Sequence, residues 1–451
     1  MKPAVFGFSG LRGRVGLDLT PELITGVTRA FGFHLGAGRV AVGRDTRVSG
    51  PSLAAAAAAG LTSAGCDVVD AGVCPTPTLL HYTRTAGLRG GIVVTASHNP
   101  EEWNGLKFCG PDGRFLSPDE LARFRPLALD PPGPVGWDRS GSLTAADAVA
   151  GHVAAIAGEE LFRAAGRGSL RIGMDAVNGA AAEAGPALAR ALGLEPVLLN
   201  CATDAESLRR GFPRPPEPTP GHLADLAVLV RRERLDFGIG FDPDGDRAGL
   251  VDETGTPLPE EWTLCLACRF VLARFPGPVV TNLSTTRAVE DVAAEFGVPV
   301  FRTPVGEVQV SAGMERHGAA IGGEGNGGVI LPRVNFTRDG LVALACIAGL
   351  IRTSGRPLSQ LAAGLGDWRM VKTKLDLDAD RFVRRAGALR TLFPGAKLDE
   401  SDGLRLEGED FWLHARPSNT EPLVRVIAEA RDRAPDPEIE RARRALTGKE
   451  Q

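Results

Sequence analysis

The sequence lacks several features that would have assigned it quickly. Its alanine run Ala54 to Ala59 is far shorter than the roughly 20 apolar residues a helix needs to cross a bilayer. The start shows no charged stretch followed by an apolar one, so a cytoplasmic protein with no membrane partner is expected. Seven cysteines, odd in number and scattered from Cys66 to Cys346, form no spaced framework, which fits free thiols in a reducing compartment. The one tight pair, Cys265 and Cys268, falls in the helix-like run Glu261 to Arg274, where packing is favoured over redox or zinc chemistry. Basic charge is not in excess: a formal net charge of -4 provides no general attraction for phosphate backbones, so nucleic acid is not an expected partner. No G-x-x-x-x-G-K-[ST] loop occurs, which weakens a nucleotide-kinase reading. The absence of G-x-S-x-G removes the local signature of a Ser-His-Asp acyl transferase.

What is present is an ordinary globular composition, 43% hydrophobic and 24% charged, in 451 residues. That is about three times the usual domain length, so several packed units are expected. Strand-like Arg39 to Gly43, Asp67 to Ala71 and Gly91 to Thr95, with helical Pro51 to Ala64, give α/β grammar. After the Pro/Gly-rich Asp130 to Trp137 the pattern restarts, with strands Leu170 to Asp175, Pro196 to Leu199, Asp236 to Phe241 and Ala248 to Val251 around the helix Ala180 to Leu192. A third unit follows, with strands Pro278 to Asn282 and Val298 to Arg302 and helices Thr285 to Phe296 and Asp339 to Arg352. The end differs: strand-like Arg369 to Leu377, Phe411 to Ala415 and Leu423 to Ala428, then a helix from about Asp436, suggest an α+β unit. The reading is three mixed α/β domains over 1–145, 146–250 and 251–365 and a smaller α+β domain over 366–451. Sequence self-similarity among the first three is too weak to define a repeat.

Four polar segments sit at predicted strand ends, where open α/β sheets place ligands. In the first, Asp242-Pro-Asp-Gly-Asp-Arg247, three alternate carboxylates converge on one hard divalent cation. A calcium EF-hand fails here, because Arg247 occupies the position that needs glycine and the flanks read as strands. Magnesium sharing its remaining sites with a phosphate beside Arg247 is the better reading, and a solvated acidic turn is the alternative. Ser97, in Thr95-Ala-Ser-His-Asn-Pro100, is either a turn residue or an exposed hydroxyl, with His98, Asn99, Asn104 and Lys107 within ten residues of it. The run Gly323 to Gly328 matches G-x-G-x-x-G, but the Glu324 carboxylate would repel a pyrophosphate. Glu324 and Asn326 suit sugar hydroxyls better. Finally, Arg416, Ser418, Asn419, Thr420 and Arg425 make a basic, hydroxyl-rich hairpin, a phosphate cradle or a polar turn with a chance arginine.

Together these segments resemble the α-D-phosphohexomutase superfamily of phosphoglucomutases, phosphomannomutases and phosphoglucosamine mutases. Phe6-Gly-Phe-Ser-Gly-Leu-Arg-Gly13 is similar to its amino-terminal motif and Gly43-Arg-Asp-Thr-Arg47 is typical of it. Thr95 to Lys107 looks like its phosphoserine loop, and the other three segments look like its metal, sugar-specificity and phosphate-binding loops. The resemblance implies four domains around a central cleft, the last one smaller and mobile. It implies that Ser97 carries the phosphate, that Asp242, Asp244 and Asp246 bind one Mg2+ with a phosphoserine oxygen, and that Arg12, Lys107 and Arg247 flank the phosphoryl group. His98, Glu324 and Asn326 would face the sugar, and Arg416, Ser418, Asn419, Thr420 and Arg425 would grip the second phosphate. Implied ligands are hexose phosphates and a hexose 1,6-bisphosphate intermediate, and the protein would be a monomer or homodimer. The pair GGEGNGG and RPSNTEP looks most like the archaeal-type phosphoglucosamine mutases. A phosphomannomutase or phosphoglucomutase, a phosphatase, or a sugar-phosphate binding protein without catalysis are the alternatives. Two positions depart from the family: Phe8 replaces a threonine, and Gly328 stands where many members carry a histidine, so Lys107 is the candidate for proton transfer.

Overall fold

The protein is described by a computed structural model over residues 5–7, 10–166, 168–418 and 423–448. Phe8, Asn419 and Thr420 lie outside the described residues. The first sheet comprises β1 (Val5–Gly7), β2 (Gly10–Arg14), β3 (Gly38–Arg44), β4 (Cys66–Val73), β5 (Gly90–Val94), β6 (Trp103–Cys109) and β7 (Leu143–Ala145), in the order β1-β2-β6-β5-β3-β4-β7. The second comprises β8 (Arg171–Asp175), β9 (Glu195–Leu199), β10 (Phe237–Phe241) and β11 (Ala248–Val251), in the order β11-β10-β8-β9. The third comprises β12 (Val279–Asn282), β13 (Val300–Thr303), β14 (Ile321–Glu324) and β15 (Gly328–Ile330), in the order β13-β12-β14-β15.

A repeat that the residues conceal is plain in this topology. Each sheet contains two parallel neighbours, β3–β4, β8–β9 and β12–β13, then a third parallel strand, then an antiparallel partner to it. The antiparallel closures are β5–β6, β10–β11 and β14–β15. The serine loop, the aspartate loop and the glycine loop are the three connections across these closures, so three equivalent positions supply three polar loops. The apolar strands carry them. Every residue of β5, β10 and β14 is buried, as expected for strands covered by helices on both faces.

One continuous apolar cluster runs through the second and third units, with Phe237, Phe241, Leu264, Leu344 and Ile347 among its fully buried members. Cys265 and Cys268 lie in it, on the helix Glu261–Leu272, and their burial pushes both thiols up, so they pack and do not react. The last unit is an antiparallel sheet of β16 (Trp368–Leu375), β17 (Lys397–Asp399), β18 (Leu404–Glu407), β19 (Phe411–Pro417) and β20 (Val424–Arg431), in the order β16-β20-β19-β18-β17. Its helices Ala379–Arg390 and Asp436–Thr447 bury Phe382, Leu389, Ala442 and Leu446 against it. No helix among the described residues is long and apolar enough to cross a membrane.

Candidate active site

The aspartate loop is the hub of three units. Its backbone is bonded to the first through Thr76 N to Asp244 O at 2.8 Å, and to the third through Gly340 N to Gly245 O at 3.1 Å. Just beyond it, Ala248 N meets Gly327 O at 3.0 Å. Gly245 has φ +67°, a left-handed conformation that glycine adopts without strain. The loop is therefore fixed before any ligand arrives, and its side chains point into a shared space.

Asp242, Asp244 and Asp246 are buried, and they can each offer one oxygen within 4.8 Å of the others. Asp244 Oδ2 accepts from Lys107 Nζ and Thr76 Oγ1, each at 2.6 Å, and Asp246 Oδ2 accepts from Arg338 Nη2 at 2.7 Å. Asp244 Oδ1 and Asp246 Oδ1, by contrast, are buried with no hydrogen-bond donor. Buried carboxylate oxygens without a partner are costly, and a divalent cation is the group that satisfies two of them together. Burial, with the charges of Asp246 and Asp244, pushes the Asp242 carboxyl well above the usual range. Burial acts upward on Asp246 too, but Arg338, Lys107 and Arg247 outweigh it and hold that group well below its usual range. The donor set fits a hard cation.

Ser97 reaches this cluster from the first unit, its Oγ 3.3 Å from Asp242 Oδ2 and 3.3 Å from His98 Nδ1. Its backbone has φ +52°, which costs a non-glycine residue about 1–3 kcal/mol and persists only where the surroundings enforce it. The enforcing group is Arg47. Its Nη2 donates to Ser97 O at 2.6 Å and Asn99 O at 2.7 Å, and its Nη1 to Pro100 O at 2.7 Å and Trp103 O at 3.1 Å. Asp45 holds this guanidinium through Nε at 3.0 Å and is itself held by Thr95 Oγ1 at 2.7 Å. The sequence pointed to Gly43 to Arg47 only as a family motif, and this scaffold role is new.

Four cations surround the same space. Arg12 arrives on β2, where a side chain at Gly10 would place its Cβ 1.9 Å from Leu106 O, so glycine lets β2 close on β6. Arg12 Nη1 donates to Asn99 Oδ1 at 2.9 Å. Arg247 Nη1 pairs with Glu217 Oε1 at 2.8 Å, and its backbone N–H donates to Asp242 Oδ1 at 3.2 Å. The charge of Arg247, then burial and Arg12, hold the His98 imidazole well below its usual pKa and therefore neutral. Lys107 Nζ donates to Asp244 Oδ2 at 2.6 Å and Asp246 Oδ2 at 3.3 Å. Burial acts to lower its pKa, but these two carboxylates, with no cation between them, more than offset this and raise it.

The fourth cation, Arg338, carried no signal in the sequence. It bonds Glu324 Oε2 through Nη1 at 2.7 Å as well as Asp246, which brings the glycine loop to the metal loop. Glu324 Oε1 accepts from Asn282 Nδ2 at 2.7 Å and Gly306 N at 3.1 Å. Asn326 spends its Oδ1 inside its own hairpin, on Gly328 N at 3.2 Å. The glycine loop joins two antiparallel strands, which excludes the strand-to-helix turn of a dinucleotide site.

Arg416, Ser418 and Arg425 form a second cluster, in the last unit. Arg416 and Arg425 are directly opposite on β19 and β20, and Lys374 of β16 is directly opposite Arg425. Three cations in one cross-strand row would attract an anion beside them. Arg416 Nε pairs with Asp402 Oδ2 at 3.0 Å, and that same oxygen accepts from Val305 N of the third unit at 2.9 Å. Ser418 N donates to Leu423 O at 2.8 Å, closing the base of the hairpin.

Three related α/β units closed by an antiparallel one, with polar loops meeting between them, define a multidomain enzyme of phosphate-ester chemistry, and comparisons with known proteins agree. Models of phosphoglucomutase/phosphomannomutase alpha/beta/alpha domains I, II and III match residues 3–125, 150–255 and 260–367, and that of the C-terminal domain matches 371–445. A probable phosphoglucosamine mutase of Methanopyrus kandleri is 41% identical over 433 residues, covering 94% of this chain and 93% of its own. A phosphoglucomutase/phosphomannomutase of Thermococcus kodakarensis is 35% identical, over 95% and 94% of the two chains. The crystal structure of a phosphoglucomutase/phosphomannomutase family protein from Burkholderia thailandensis superposes with a TM-score of 0.85 at 31% identity, over 98% of this chain and 97% of that one. The chain belongs to the phosphoglucomutase/phosphomannomutase family. Its activity is that of a phosphohexomutase, an intramolecular phosphotransferase of the isomerase class.

Proposed function

We propose that this phosphohexomutase interconverts glucosamine 6-phosphate and glucosamine 1-phosphate, with Ser97 as the phosphate carrier. The carrying observation is the 3.3 Å approach of Ser97 Oγ to Asp242 Oδ2, which joins the serine loop to the carboxylate cluster. In the first half-reaction the P–O bond to Ser97 breaks as a P–O bond forms to the free 1- or 6-hydroxyl, and that hydroxyl's proton ends on Ser97 Oγ. The hexose 1,6-bisphosphate turns end for end, the P–O bond of its other phosphate breaks as one forms to Ser97, and the serine proton ends on the freed sugar oxygen. Asp242, Asp244 and Asp246 would hold Mg2+, which supplies neutralisation of phosphoryl charge. Arg12, Lys107 and Arg247 flank the transferred group and add fixed positive charge where it develops. Glu324, Asn326 and His98 face the sugar. Arg416, Ser418, Asn419, Thr420 and Arg425 hold the phosphate that is not moving. The units 1–145, 146–250, 251–365 and 366–451 supply one loop each.

The names of relatives favour the amino sugar, since those from Methanopyrus kandleri and Thermococcus gammatolerans are probable phosphoglucosamine mutases. Phosphomannomutase or phosphoglucomutase activity is the second reading, favoured by the Thermococcus kodakarensis relative. Rates measured side by side on glucosamine, glucose and mannose 6-phosphates separate the two. A higher kcat/KM on either neutral sugar overturns the amino-sugar preference. Ser97→Ala is expected to lose nearly all turnover and the phosphate seen by intact-mass analysis, and turnover above a few per cent removes Ser97 from the mechanism.

A further inference from the structure

We infer that Arg338 is a positioning residue for the sugar end of the site, tying Glu324 to the metal loop, and that Gly328 is glycine because Arg338 occupies the space its side chain would need. The inference rests on the hexose-phosphate reading of the site. The guanidinium is almost fully buried and faces three carboxylates from two units: Asp246 Oδ2 at 2.7 Å, Glu324 Oε2 at 2.7 Å and Glu307 Oε2 at 3.2 Å. Glu307 is anchored in turn by the Arg338 backbone N–H at 2.8 Å and by the Thr337 hydroxyl. A planar fork with donors on two sides can bridge two carboxylates at fixed separation, which a single ammonium cannot. A guanidinium also does not release its proton, so Arg338 acts by holding its neighbours and not by proton transfer.

The bookkeeping at Glu324 gives this bar its purpose. Two carboxylate oxygens offer about four acceptor sites. Asn282 and Gly306 take two on Oε1, and Arg338 takes one on Oε2. One site on Oε2 is left for a sugar hydroxyl, at an angle that Arg338 sets. On the metal side, Arg338 engages Asp246 Oδ2 and leaves Oδ1, which has no hydrogen-bond donor, for the cation. Metal ligand and sugar acceptor are thus held in one register by one side chain.

Its path is open only because residue 328 has no side chain. A Cβ there would lie 2.3 Å from Arg338 Cδ and 2.8 Å from Arg338 Cγ. These are mid-chain atoms of a side chain pinned at its far end by three carboxylates, so they cannot move aside while those bonds persist. The backbone at Gly328 is ordinary strand, in register with Glu324, and would accept alanine. The steric conflict with Arg338 is what forbids it.

Two measurements test this, and they fail independently. In thermal melts, Gly328→Ala should lower Tm by several degrees in the parent and by less than about one degree in an Arg338→Ala background, since these residues couple through direct contact. Equal losses in both backgrounds overturn the steric pairing. In kinetics, Arg338→Met and Glu324→Gln should each raise KM for the hexose phosphate about tenfold, with the double variant no worse than either, as for one lost charged hydrogen bond. Mn2+ affinity of the chelator-stripped protein should fall in Arg338→Met and stay within about threefold in Glu324→Gln, since only the first of these side chains touches Asp246. KM factors that multiply, or Mn2+ affinity untouched by Arg338→Met, overturn the positioning role. Arg338→Lys, which keeps a charge among the three carboxylates, gives the same readouts should the methionine variant not fold. With the parent inert on every hexose phosphate the positioning role falls with the functional reading, while the melts still judge the pairing.

Discussion

The guanidinium of Arg47 reaches the backbone of Ser97, donating to its carbonyl oxygen at 2.6 Å across 50 residues of sequence. The loop that presents the serine is therefore shaped by a side chain from the neighbouring parallel strand end. Arg47→Met would remove a donor from four carbonyls, of which Pro100 O keeps Trp103 N at 3.1 Å, and each buried group left unpaired costs about 1–3 kcal/mol. The expected result is a loss of at least tenfold in kcat and in the rate at which Ser97 is phosphorylated by a hexose 1,6-bisphosphate, followed by intact mass. Phosphorylation at the parental rate would show that the loop keeps its shape without Arg47.

Asp244 gives a separate test, because one of its oxygens has two donors and the other has none. Asp244→Asn keeps the size and removes the charge that a hard cation needs. Mn2+ binding to the stripped protein should weaken at least tenfold, and turnover should vanish with excess chelator in the parent and return with Mg2+. Full turnover in chelator would leave the three aspartates as a turn only.

The sequence made the chemistry legible wherever it is local. Asp242, Asp244 and Asp246 announce themselves by spacing, and Ser97 by its crowded neighbours. Arg338 is silent because its partners, Asp246 and Glu324, lie 92 and 14 positions away. Strand β6 escaped notice for a related reason: Asn104 and Lys107 are buried within it to serve the site, which breaks the apolar alternation that marks a strand. The threefold repeat of strand order leaves too weak a trace in residue identity to define a repeat, since equivalent strands need only be apolar.

Lys107, the candidate for proton transfer, is also placed to act as a charge. Its ammonium sits 2.6 Å from Asp244 and 3.3 Å from Asp246, which raise its pKa above the ordinary 10.5. Lys107→Met should still depress kcat more than tenfold with KM for the sugar phosphate little changed, because a fixed charge near the transferred group acts mainly in the transition state. A kcat within about threefold of the parent would remove it from the phosphoryl site.

The junction of the third and fourth units carries a pH dependence whose sign follows from one tautomer. His414 Nε2 lies 2.6 Å from the Asp402 carbonyl oxygen and must donate to it, so Nδ1, 2.8 Å from Ser284 Oγ, accepts from that hydroxyl. Burial, against which its contacts with Asp402 act, drives its pKa from 6.5 to about 4. Between those values the unfolded chain binds a proton that the folded one does not. Stability from this residue is therefore full above pH 6.5 and is lost as pH falls toward 4, at about 1.4 kcal/mol per unit. Urea midpoints at pH 7 and pH 5 should show the parent losing more stability than His414→Gln, whose amide can donate to Asp402 and does not titrate. Equal losses in the two proteins would place the acid sensitivity elsewhere. An opening that exposes His414 takes up the same proton at pH 5, so amide exchange across β18 and β19, corrected for intrinsic rates, should quicken from pH 7 to pH 5 more in the parent than in the variant.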